Sequence, residues 1–149
     1  MMIVCLLALV SSAIACSCFP PSAEVAFCAA NTVTGRVFSI SCKVSSLRKE
    51  GNNFYTQLSV YGLEHIEVYK KPNDFSTLPS IVYTSSEELC GLKMEVGKEY
   101  LLTGYQARSN RSNIHVYACG QVNDRYLTGA IEWSTVSQEL RENLKKFQC

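Results

Sequence analysis

Net charge is the first thing this sequence lacks. Its 149 residues carry 14 Lys plus Arg against 13 Asp plus Glu, which leaves +1. A nucleic-acid binder needs a basic excess to displace counterions, so that class is set aside. A membrane binder working through surface charge gains no support either. Long apolar runs are missing as well: the run at residues 3–10 falls far short of the about 20 residues needed to cross a bilayer. Histidine is scarce. His65 and His115 are the only two, both read as exposed strand residues, and neither has a Ser or Cys partner at a recognisable nucleophile elbow. No Gly-rich phosphate loop appears. Glu87-Glu88 is a neighbouring carboxylate pair, but it sits in a loop beside Cys90, where solvation accounts for it. The chain is therefore expected to bind and not to catalyse.

What is present is a globular composition, 47% apolar and 18% charged, of a length that suits one domain. No linker and no repeat divides it. Residues 1–15 read MMIVCLLALVSSAIA. An uncharged apolar stretch ending in Ala13-Ile14-Ala15 has the shape of a signal peptide, although the basic start is missing. Cleavage after Ala15 would remove Cys5 and leave a mature chain from Cys16 to Cys149. A lipoprotein signal with Cys16 as the lipidated residue is the competing reading. Ala13 in place of leucine and the uncharged start argue against it.

Seven cysteines then remain: Cys16, Cys18, Cys28, Cys42, Cys90, Cys119 and Cys149. In an oxidising compartment an even subset forms a disulfide framework, and six can pair in 15 ways that the sequence does not separate. A metal site is disfavoured, because Cys16-Ser17-Cys18 lacks the spacer of structural zinc pairs and no second close pair exists. Cys42 falls on the same face as Phe38, Ile40 and Val44 in an alternating strand, which marks it as a buried thiol behaving as a small hydrophobe.

The patterning predicts a mainly β chain. Ser22 can cap a short alanine-rich helix running to Ala30. Strand-like runs cover 33–45, 54–70, 80–84, 98–105 and 114–119, with a compact first hairpin turning at 46–53 and a bulge or bend near Gly62. Val136, Leu140, Leu144 and Phe147 recur at helical spacing, which places a helix over 135–147. Five strands flanked by short helices, the last one C-terminal, suggest a small closed barrel of the OB-fold type. Asn110-Arg111-Ser112 is a glycosylation sequon at the tip of the 98–119 hairpin.

The segment Cys16-Ser17-Cys18-Phe19-Pro20-Pro21-Ser22-Ala23-Glu24-Val25-Ala26-Phe27-Cys28 resembles the mature N-terminus of the tissue inhibitors of metalloproteinases. Glu67-Val68-Tyr69-Lys70, Leu89-Cys90-Gly91, Val96-Gly97 with Lys98-Glu99-Tyr100-Leu101, Ile114-His115-Val116 before Cys119, and Trp133 extend the likeness over essentially the whole mature chain. The resemblance implies a netrin-like OB-fold over 16–149, with disulfides Cys16–Cys90, Cys18–Cys119 and Cys28–Cys149 and with Cys42 unpaired. Larger members carry a second domain, so this chain looks like the inhibitory domain alone. Ser22-Ala23-Glu24 departs from the His-Pro-Gln of many relatives, and Phe19 and Glu87 alter the contact edge.

The resemblance also implies a role and a partner. In the family the free α-amine and carbonyl of the first residue, here Cys16, chelate the zinc of the target protease, and the protein needs no cofactor of its own. Ser17 would enter the pocket beside the metal. Cys18, Phe19 and Pro20 would continue along the cleft, and Ser86, Glu87, Glu88, Leu89 and Cys90 would lie on the far side of the zinc. The implied partners are zinc metalloendopeptidases of the matrix metalloproteinase type, met by a secreted monomer in the extracellular space. The alternative is a netrin-like adhesion or recruitment module in which Cys16 is only a disulfide partner.

Overall fold

The computed structural model describes Cys16, Cys18, residues 22–29, 37–125 and 127–149. Residues 1–15, Ser17, Phe19, Pro20 and the predicted strand start at 33–36 lie outside the described residues. Six strands are present: β1 (Val37–Glu50), β2 (Leu58–Lys70), β3 (Ile81–Ser85), β4 (Glu99–Gln106), β5 (Ile114–His115) and β6 (Ile131–Glu132). Two short helices, α1 (Ala23–Cys28) and α2 (Gln138–Asn143), flank them.

The strand order is β1-β2-β3-β5-β4-β6, and β1 also pairs with β4. That extra pairing closes β1, β2, β3, β5 and β4 into a five-stranded barrel of the OB type, with β6 added outside on β4. All contacts are antiparallel except β3 with β5. Closing so few strands requires sharp bending, and bulges supply it. In the β1–β2 register Tyr69 and Ile66 are skipped on β2 and Ser45 on β1. The last bulge lies opposite Gly62, so the expected irregularity falls on the partner strand. A Cβ on Gly62 would sit 2.3 Å from the Ser46 hydroxyl, which would have to turn away to admit it.

The barrel interior is filled by Phe38, Ile40, Cys42 and Val44 of β1, Tyr61 and Leu63 of β2, Val82 of β3, Tyr100 and Leu102 of β4, and Ile114. The alternation read in β1 is the one that packs. Neighbouring residues of β4 serve opposite cores: Leu101 points outward into a second cluster with Ala26, Phe27, Val122, Ile131, Val136, Leu140 and Leu144. Each fully buried Val, Leu, Ile or Phe among them contributes roughly 1.5–3 kcal/mol.

Three expectations need correction. The first hairpin is not compact: β1 continues to Glu50, still paired with Leu58, and the tip spans 51–57. Charged and polar side chains (Arg48, Lys49, Glu50) hid this stretch, because residues 45–50 of β1 are all exposed and show no alternation. The C-terminal helix is shorter than predicted. A 3-10 turn (Trp133–Thr135) comes first, then extended Val136, and Ser137 caps α2 by accepting from the Leu140 N–H at 3.0 Å. Finally, His65 and His115 are half-buried. His115 is stacked between Tyr83 and Tyr105 at 5.5 and 5.8 Å, and burial holds it below the ordinary imidazole range.

Candidate functional site: a doubly tethered N-terminal segment

Cys16 and Cys18 lie at one end of the barrel, each in a disulfide. Cys16 bridges to Cys90 and Cys18 to Cys119, with Cα–Cα separations of 5.5 and 5.4 Å. These are the pairs the resemblance implies, as is Cys28–Cys149. The two anchors are themselves joined, because the Ala118 N–H donates to the Cys90 carbonyl at 2.8 Å. Residues two apart in sequence are thus fastened to two backbone segments that are hydrogen-bonded side by side. Neither Cys16 nor Cys18 belongs to a helix or strand, and the bridges hold both.

Cys90 ends a tight loop that follows β3. The Leu89 N–H and the Gly91 N–H both donate to the Ser86 carbonyl, at 3.0 and 2.9 Å, and the Cys90 N–H donates to Glu87 O at 3.0 Å. Cys90 itself takes the left-handed conformation, φ 64°. That costs a non-glycine residue about 1–2 kcal/mol, and a thiol is needed there for the bridge. Gly91 has no such freedom to change: a Cβ would fall 1.6 Å from the Ser85 carbonyl oxygen. Glu87, Glu88 and Leu89 are exposed on this loop, while Ser86 is half-buried. Glu87 meets Lys93 at 3.6 Å, a solvent-screened pair of small energetic weight.

The chain leaving the loop is stapled by side chains from the barrel. Thr84 Oγ1 accepts from the Leu92 N–H at 2.8 Å and donates to the Val116 carbonyl at 2.9 Å. The Tyr61 hydroxyl accepts from the Met94 N–H at 3.0 Å, and the Tyr100 hydroxyl accepts from the Glu95 N–H at 2.9 Å. Beyond Cys119, buried Gln121 takes the place of a strand: its amide accepts from the Thr103 N–H at 3.0 Å and donates to Thr103 O at 2.6 Å. A further bond reaches Tyr117 O at 2.8 Å. These four buried side chains are tolerated because each is paired, and the pairing fixes both cysteine anchors. Sequence reasoning passed over Thr84, Tyr61, Tyr100 and Gln121 as positioning residues, since single polar side chains in strands and loops give no periodic signal.

The structure therefore brings Cys16, Cys18 and the loop 86–90 together. Ser17, Phe19 and Pro20 lie outside the described residues. The β1–β2 tip projects from the same end, because Leu58 pairs with Ser85 where the loop begins. Its Phe54 and Tyr55 rings meet edge-on at 5.3 Å and are exposed, Tyr55 by 81%. Among the described residues no group of three or more His, Cys, Asp or Glu side chains converges as a metal ligand set. No helix among them is long and apolar enough to cross a membrane.

The sequence that builds this barrel and its two anchors has relatives. The family profile of tissue inhibitor of metalloproteinase matches residues 14–147. The chain belongs to that family. It is 35% identical to the Caenorhabditis elegans protein named "Putative metalloproteinase inhibitor tag-225", over 99% of this chain and 96% of that one. It is 28% identical to metalloproteinase inhibitor 2 of Canis lupus familiaris and 27% identical to that of Homo sapiens. Both alignments cover 87% of this chain but only 54% of the relative, so the chain spans about half the length of these mammalian proteins. Family membership places the chain among inhibitors and not among enzymes.

Proposed function

We propose that this chain is a secreted inhibitor of zinc metalloendopeptidases that acts through a mature N-terminus at Cys16. The observation that carries the reading is the double anchor. Cys16 and Cys18 are held by bridges to Cys90 and Cys119, and the Ala118 N–H next to Cys119 donates to the Cys90 carbonyl. The family to which the chain belongs supports it. So does the leader-like segment 1–15.

A catalytic zinc keeps three protein ligands and an open, water-filled position. Cleavage after Ala15 would free the Cys16 amine. Together with the Cys16 carbonyl it can close a five-membered ring on that metal and displace the water. The amine must bind as the neutral base, and an α-amino pKa of about 7.7–8.0 makes its deprotonation inexpensive near neutral pH. Ser17 would then stand at the mouth of the specificity pocket. Cys18, Phe19 and Pro20 would run along the cleft, and residues 86–90 would cover the other side of the metal. The exposed rings of Phe54 and Tyr55 add apolar surface at the same barrel end.

Pre-organisation is what lets a chain terminus bind tightly. Ordering three free residues on binding costs about 1–2 kcal/mol each, and the bridges remove most of that cost beforehand. The mechanism is tested by placing one alanine before Cys16. The fold is expected to stay intact, by circular dichroism and disulfide mapping, while inhibition of a matrix-type zinc protease falls by more than a thousandfold. Unchanged inhibition overturns the chelate. Silence of the correctly processed, oxidised protein against a panel of zinc proteases favours the adhesion-module reading instead.

A further inference from the structure

We infer that Asn110 is an N-glycosylation site on the face of the barrel remote from the inhibitory end. The inference rests on the secretory part of the proposed function. Asn110-Arg111-Ser112 forms the tip between β4 and β5, and all three residues are exposed. The turn brings Ser112 back against the asparagine: Asn110 Oδ1 accepts from the Ser112 N–H at 3.0 Å, and the Asn110 carbonyl accepts from the Asn113 N–H at 3.0 Å. The tip is a fixed platform. The Ala107 N–H donates to Asn113 O at 2.9 Å, and Gln106 Nε2 donates to Arg111 O at 2.7 Å. A glycan borne there has solvent around it and displaces no core contact.

Strand directions set its distance from Cys90 and Cys119. β5 runs parallel to β3, away from the tip and toward the loop that ends in Cys90. Five residue steps separate Ile114 from Cys119, at most about 16 Å at about 3.3 Å per residue. The sugar therefore leaves from one end of the barrel and Cys16 lies at the other. In the transfer, Asn110 Nδ2 attacks the anomeric carbon of an oligosaccharide carried on a lipid diphosphate. The N–C bond forms, the C–O bond to the diphosphate breaks, one amide proton is released, and the lipid diphosphate departs.

The experiment is secretion of the full chain from a eukaryotic host, with intact mass and peptide maps taken before and after peptide-N-glycosidase treatment. Wild type and Ser112→Thr are expected to carry a glycosidase-sensitive mass excess on the Asn110 peptide. Asn110→Gln and Ser112→Ala are expected to lose it entirely. Inhibition of a zinc protease is expected to stay within twofold after deglycosylation. Protein recovered from the medium with bare Asn110 overturns the proposal while leaving secretion standing. A chain that never enters the secretory route overturns both. A glycan whose removal changes inhibition tenfold overturns the remote placement. A glycosylated chain that inhibits no protease overturns the inhibitor reading alone.

Discussion

The same covalent bond serves two different purposes at the two ends of this molecule. At the Cys16 end, bridges to Cys90 and Cys119 hold Cys16 and Cys18, which belong to neither core cluster. At the other end, Cys28–Cys149 joins two elements that already share one. There Phe27 packs on Phe147 at 5.2 Å, Lys70 donates to the Phe27 carbonyl at 2.9 Å, and Leu140 and Leu144 are buried beneath α2. All three bridges close long loops, of 74, 101 and 121 residues, and chain entropy alone assigns each about 4–5 kcal/mol. Loop length therefore does not separate them. What separates them is whether other forces would hold the joined segments in place once the bond is gone.

The largest effect is expected where they would not. Replacing the first bridge with Cys16→Ser and Cys90→Ser leaves the amine and carbonyl of residue 16 chemically intact. It frees the terminus to wander, and also releases Cys90 from its left-handed conformation. Cys18–Cys119 still holds residue 18, so ordering residues 16 and 17 on the protease then costs about 2–4 kcal/mol, and the inhibition constant should rise by at least about thirtyfold. Inhibition kinetics on the folded double variant measure this; a change below threefold breaks the contrast. The companion variant, Cys28→Ser with Cys149→Ser, should show the reverse. Its stability should fall by about 2–5 kcal/mol, lowering Tm by on the order of 10 °C, while the folded fraction inhibits as wild type does. Calorimetry and inhibition at 20 °C read the two quantities separately.

That contrast was only partly legible in the sequence. The barrel core was readable because Phe38, Ile40, Cys42 and Val44 alternate with polar Ser39, Ser41 and Lys43. The outer core was readable through Val136, Leu140 and Leu144, although a 3-10 turn and an extended Val136 break the helix that their spacing suggests. The far part of β1, residues 45–50, was not readable, since all of it is exposed. Nor was β6, whose two residues are too few to carry a period. The cysteine pairing needed the family resemblance, because spacing leaves 15 pairings open. The staples from Thr84, Tyr61, Tyr100 and Gln121 left no trace: each is one polar atom whose value depends on a backbone group brought to it by the fold.

Cys42 sharpens the comparison from the side of the cysteine that makes no bridge. It is fully buried in the barrel, and burial pushes its thiol up from 9.0 to about 12. The folded state therefore keeps its proton to higher pH than the unfolded state does. With fewer protons bound to the unfolded chain above pH 9, stability falls as pH rises, by at most about 1.4 kcal/mol per unit, until the folded thiol itself titrates near 12. Below pH 9 this contribution is fully present and flat. Cys42→Ala removes the group and costs about 1 kcal/mol at neutral pH for the small cavity. Its stability should decline less steeply between pH 9 and 11 than that of wild type, in urea unfolding followed at each pH. Wild type should also resist alkylation at pH 8 until denatured, when a single thiol of the mature chain becomes reactive. Rapid native labelling, or parallel pH profiles for the two proteins, would mean that residue 42 is reachable by water, and that a cysteine in this barrel is not held by packing alone.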